Sequence, residues 1–184
     1  MSMEMPPQGE DLSTYIQKYL GAENQEGIKV ISLEELPESW QDQMEDVPEA
    51  LENTKVGIIP EDKWIKGDQP TESHAEKGLI LVRDNYLRTE DAIAWLTHEL
   101  SHLETYAMKP EKYEDKQTEQ AFPELETETT YPNNPVEAEA FAKQFAFLQE
   151  QGLSRPDIEE LVKAYYQDEE DWPFFEKLLD EMSQ

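Results

Sequence analysis

The chain carries 184 residues with 43 acidic against 15 basic side chains, a formal charge of −28. That charge repels polyanionic nucleic acid and anionic lipid, so neither is expected as a partner. With no cysteine, a disulfide framework, a thiolate nucleophile and a cysteine zinc ribbon are excluded, and any metal must be held by histidine and carboxylate.

Leu, Ile, Val and Phe make up about 21% of the chain, just above the level that reads as disorder, so the arrangement of the apolar residues has to decide. No apolar run approaches the roughly 18 residues of a membrane span. The start, MSMEMPPQGE, lacks the basic and apolar regions of a signal peptide. The expectation is a cytoplasmic protein with a flexible lead over 1–10 and a single domain over 11–184.

In chain order, Asp11 to Leu20 reads as a short helix with Leu12, Tyr15, Ile16 and Tyr19 on one side and Gly21 as its stop. Three β-like runs follow, Ile28 to Leu33, Lys55 to Ile59 and Gly78 to Val82, with a helical turn or two between Leu33 and Met44. Thr89 is the expected N-cap of a long helix reaching Met108. Pro110 and the polar, proline-bearing stretch to Asn134 argue for a long loop over 109–134. Further helices are expected from Pro135 to Gln151, after Ser154, and from Asp171. The pattern is α+β: a mainly antiparallel or mixed sheet of about three strands packed on the central helix, then three C-terminal helices.

That central helix contains His98-Glu99-Leu100-Ser101-His102. Histidines at i and i+4 lie about 40° apart and one turn along, so both imidazoles reach one ion while the glutamate faces its water. Metal-assisted hydrolysis needs this arrangement: the ion acidifies water, and the carboxylate takes and returns the proton. With three histidines and 31 glutamates in the chain, chance yields roughly 0.008 such matches. The plainer alternative is a surface helix whose histidines are solvated or paired with nearby carboxylates.

Leu96, Leu100, Leu103 and Ala107 form one apolar stripe, nearly opposite His98 and His102, which Trp95 and Tyr106 flank. A helix covered on both sides belongs in the middle of a fold. A catalytic zinc takes three protein ligands and a water. Glu137 shares the inward face of the next helix with Phe141, Phe145 and Leu148, whereas Glu139 shares its outer face with Lys143. Glu137 is therefore the favoured third ligand, because a carboxylate on an apolar face is costly unless paired or metal-bound. Glu139 is the backup, and His74 or another carboxylate stays open. Tyr106, Tyr131 and His74 are candidates to support an oxyanion, against a plain packing role. The Gly78 to Val82 strand is a candidate edge for an extended peptide, or else a core strand.

With these residues the chain resembles the zincin metallopeptidases, of the gluzincin type in which a glutamate on a following helix completes the motif. Glu137-Ala-Glu-Ala-Phe-Ala142 is loosely similar to the Glu-x-x-Ala segment of small ImmA/IrrE-type members. The resemblance runs from about Gly78 to Leu148 and implies a strand along the substrate cleft. Phe141 stands where related chains often have Asn or Asp, which removes a hydrogen bond beside the ligands. Thr105 and Met108 occupy the Gly and third-His positions of the metzincins, and the missing cysteine and the charge disfavour the SprT-like branch.

The expected function is a zinc-dependent peptidase: His98, His102 and Glu137 bind Zn2+, Glu99 is general base, and basic or unfolded polypeptide is the substrate. The alternative is a catalytically silent acidic interaction or structural protein on the same scaffold, of phage-related type. Neither nucleic acid nor membrane is expected as a partner, and the sequence leaves the oligomeric state open.

Overall fold

The computed structural model describes residues 11–41, 47–67, 69–89, 91–114, 118–127 and 129–183. The lead over 1–10 and the end of the connection after Leu33 lie outside them. The fold is α+β, with a four-stranded mixed sheet.

Helix α1, Leu12–Leu20, starts where Asp11 accepts a hydrogen bond from the Ser13 N–H (2.7 Å) and stops at Gly21, whose φ of 64° suits a residue without Cβ. The strands are β1 Lys29–Ser32, β2 Lys55–Ile59, β3 Thr71–His74 and β4 Leu79–Arg83, in the order β1-β2-β4-β3. Only the β2–β4 pair is parallel. The connection after β1 holds the short helix α2, Glu38–Gln41.

Both faces of the sheet are covered. Leu79 and Leu81 meet Ile16 of α1, while Ile80 and Val82 join the main core with Leu96 and Leu100. All four β4 residues from Leu79 to Val82 are fully buried, and burial on two faces is why the strand reads as an unbroken apolar run. Each such side chain stabilises by about 1.5–3 kcal/mol. At Gly57 a Cβ would sit 2.9 Å from both Ile16 Cδ1 and Leu81 Cδ2, so α1 comes this close to the sheet only over a bare backbone.

Across the second face runs α3, Ala92–Met108, against which α5, Pro135–Glu150, packs. Helices α6, Arg155–Tyr165, and α7, Trp172–Met182, close the core over α5, with Ile158, Val162, Phe174 and Phe175 beside Phe141 and Phe145. Among the described residues no helix is long and apolar enough to cross a membrane.

Three expectations change. The sheet has four strands rather than three, because Thr-Glu-Ser-His at 71–74 forms the edge strand β3. Edge strands need no apolar alternation, so this one leaves no hydrophobic signal. Thr89 does not cap α3: its hydroxyl donates to the Tyr86 carbonyl (2.7 Å), and the helix begins at Ala92 with Asp91 in the cap position. The 109–134 stretch is not plain loop, since it contains α4, Pro110–Glu114, and a 3-10 turn at Pro123–Leu125. Its end is pinned by buried Asn133, which accepts from the Phe122 N–H (2.9 Å) and donates to the Phe122 carbonyl (3.0 Å). Asn134 then caps α5 by accepting from the Glu137 N–H (2.9 Å).

Candidate metal centre

Along α3 the histidine face is as buried as the leucine face: His98, Glu99 and His102 are each at most 6% exposed. The Asn134 cap fixes the start of α5 so that Glu137, in its first turn, meets that face. Its Oε1 lies 3.1 Å from His102 Nε2 and its Oε2 lies 3.2 Å from His98 Nε2. The two Nε2 atoms are 3.1 Å apart.

The three separations test whether these side chains fit a metal. Tetrahedral ligands about 2.0–2.1 Å from a zinc ion stand roughly 3.3 Å from one another, close to the spacing found. Glu137 Oε2 is 3.2 Å from its imidazole yet has no aligned hydrogen-bond partner. The donor set, two imidazoles and one carboxylate, suits zinc. Burial pushes the Glu137 carboxyl up, but His102 and His98 outweigh it and hold the group well below the usual carboxylate range.

Glu99 belongs to the same group, its carboxylate and the two imidazoles lying within 4.8 Å of one another. Thr71 of β3 donates its hydroxyl to Glu99 Oε1 (3.0 Å), leaving the second oxygen free of that bond. Glu137 is the better ligand of the two, because it reaches both imidazoles and is not tied to another donor.

These groups open on a cavity of about 330 Å³ lined also by Gln69, Ser73, Tyr131 and Tyr166. A larger groove, about 1010 Å³, lies between Ile93, Phe147, Leu153 and Leu161. It holds none of these groups, so chemistry rather than size marks the site. Tyr131 is half exposed along its ring, while its hydroxyl stands 3.1 Å from that of buried Tyr166. Burial, together with Glu137 and Glu99 nearby, pushes both hydroxyls above the usual tyrosine range, so both keep their protons at neutral pH.

The edge of the sheet completes the site. Arg83 N–H donates to the Pro70 carbonyl (3.0 Å), and Pro70 stands directly opposite Arg83 in the antiparallel register of β3 and β4. Hydrogen-bonded pairs alternate along such a ladder. Glu72 and His74 therefore bond to β4, while Thr71 and Ser73, which line the cavity, turn their backbone N–H and C=O outward.

Of the residues singled out in the sequence, the fold brings together His98, Glu99, His102, Glu137 and Tyr131. It does not bring Glu139, whose carboxylate pairs with Lys112 and with Lys143 (3.7 Å) on the surface. Tyr106 stacks edge-on to Tyr113 (5.2 Å) and lines a second cavity with Tyr15 and His74. His74 is engaged by Tyr15 and Glu72 on the other face of β3. The Gly78 to Val82 strand is not an edge, because β4 is paired on both sides. Thr71 and Tyr166 were not legible as site residues: one sits in a polar strand without pattern, the other just beyond the periodic stripe of α6.

The chain matches no family model, no curated protein and no solved structure.

Proposed function

We propose that the protein is a zinc-dependent peptidase of zincin type, with His98, His102 and Glu137 as ligands. The observation that carries this reading is the single carboxylate of Glu137 set against both imidazoles, with Glu99 beside them and held by Thr71. When bound, a zinc ion lowers the pKa of its water and polarises the scissile carbonyl. Glu99, at the oxygen not bonded to Thr71, would be the group that takes a proton from the attacking water and returns it to the departing amine. Tyr131 donates its O–H to the oxyanion that develops on the substrate, with Tyr166 fixing its aim.

An extended polypeptide is the substrate this cleft suits. The outward N–H and C=O groups of Thr71 and Ser73 can pair with a peptide backbone in the manner of an added strand. The chain's formal charge of −28 favours basic segments over acidic ones.

The test compares wild type with Glu99→Gln for zinc content and for cleavage of an unfolded, lysine-rich protein followed by mass spectrometry. With zinc in excess both should carry one ion per chain, and cleavage should fall by about 10²–10⁴-fold in the variant. Zinc-loaded wild type that cleaves nothing sinks the peptidase reading and leaves an acidic interaction protein.

A further inference from the structure

Among the described residues, His98 Nδ1 is buried and has no hydrogen-bond partner. The imidazole is enclosed by rings, with Phe141 at 4.3 Å and steeply inclined (67°), His102 at 4.8 Å and Trp95 at 5.8 Å. Its Nε2 is the nitrogen turned to Glu137 and His102. The rival acceptor on α5, Gln144 Oε1, also lacks a partner, but Gln144 lines a different small void with Ala94, Leu148 and Val162.

Proton placement gives this arrangement its consequence. A metal-bound imidazole is neutral and coordinates through one nitrogen, so its one proton must sit on the other. Without an ion, His98 can carry that proton on Nε2 and share it with Glu137 or His102. Loading through Nε2 forces it onto Nδ1, which is buried without a hydrogen-bond partner among the described residues, and the Phe141 ring packed against the imidazole offers only a weak acceptor. An unmatched buried donor opposes binding. Ligating histidines ordinarily give this N–H to a carboxylate, carbonyl or water, and losing that partner weakens metal affinity about 10- to 100-fold.

We infer that Phe141, by denying His98 Nδ1 an acceptor, sets the zinc affinity of this centre low, so that the site fills and empties with the supply of free zinc. The inference rests on the metal reading above and adds its regulation: hydrolysis is limited by occupancy. Phe141 acts through His98 and touches neither substrate nor ion.

The experiment measures zinc affinity, by competition with a chromogenic chelator, in wild type, Phe141→Asn and Phe141→Leu. The asparagine amide brings an acceptor to the α5 turn beside His98, whereas leucine removes the ring without supplying one and controls for loosened packing. Phe141→Asn should bind zinc about 10- to 100-fold more tightly than wild type, with Phe141→Leu no tighter than wild type. Asparagine and leucine variants of equal affinity overturn the inference.

Since Phe141 is fully buried, a second readout uses zinc-loaded wild type alone. Its His98 Hδ1 proton, observed by NMR, should lack the downfield shift of a hydrogen-bonded imidazole N–H and exchange quickly with water. A downfield, exchange-protected signal overturns the inference. Wild type that binds no zinc defeats the metal reading itself, a result separate from zinc binding that ignores the asparagine.

Discussion

Two histidine–carboxylate clusters flank the edge strand β3, built from the same residue types and finished differently. On one face His74 Nδ1 hydrogen-bonds with the Tyr15 hydroxyl (2.8 Å) and Nε2 meets Glu72 (3.2 Å), which also accepts from Tyr19 (2.7 Å) and pairs with Lys66 (2.8 Å). Each ring nitrogen and both carboxylate oxygens have a partner. On the other face Glu137 Oε2 stands 3.2 Å from His98 Nε2 without an aligned hydrogen bond, and buried His98 Nδ1 has no hydrogen-bond partner among the described residues. Buried polar atoms are almost always satisfied, so the first cluster is explained as a tie between β3 and α1, whereas the second keeps buried groups that its neighbours among the described residues do not satisfy.

The largest effect expected from this contrast is at His102. His102→Ala should abolish zinc binding, seen as metal content falling from one ion per chain to none by elemental analysis of samples equilibrated with excess zinc and freed of the unbound metal. In calorimetry, free zinc at a hundred times its Kd should stabilise wild type by about 2.7 kcal/mol, roughly 5–10 °C in Tm for a chain of this size. His102→Ala should show no such shift. A zinc-dependent shift that survives the substitution breaks the contrast.

The first cluster should behave oppositely. His74→Ala leaves Tyr15 and Glu72 short of a partner, so urea unfolding should show a loss of about 1–3 kcal/mol, while zinc content stays as in wild type. Metal loss on this substitution would mean the two clusters are one site.

A smaller effect is tied to pH. Burial pushes the Glu72 carboxyl up, but hydrogen bonds from His74, Lys66 and Tyr19 bring it below its ordinary value. A carboxylate with a depressed folded pKa contributes stability above its unfolded pKa and loses it as pH falls through the folded one. Stability should therefore fall below about pH 4.5 more steeply in wild type than in Glu72→Gln, as read from urea midpoints across that range. Glu139→Ala closes the series: with only surface pairs to lose, stability should change by less than about 1 kcal/mol and zinc content not at all.

Much of this contrast was legible before the fold. The i, i+4 histidines and the inward face of Glu137 are statements about helix geometry, and α3 and α5 obey it because their apolar stripes leave one way to pack. Asp11, Ser154 and the proline after it likewise mark where helices begin. What escaped was set by contacts between elements rather than within them. Nothing in Thr71-Glu72-Ser73-His74 announces a strand, since its register comes from β4. Tyr106 and Tyr131 look alike in sequence, and only the pinned end of the 109–134 stretch decides which reaches the cavity. His74 invited a role at the metal because histidines are few; its partners on α1 lie 55 to 59 positions away in sequence.

The open edge of β3 also bears on how the molecule behaves in company. A strand with unpaired N–H and C=O groups is a template for a second copy of itself, and proteins usually blunt such edges with charge, brevity or a covering segment. Here the strand is four residues long, polar throughout, and belongs to a chain of charge −28. Mutual repulsion between like-charged copies opposes edge-to-edge association, so the acidity of the chain counters the pairing that this edge, uncovered among the described residues, would otherwise invite.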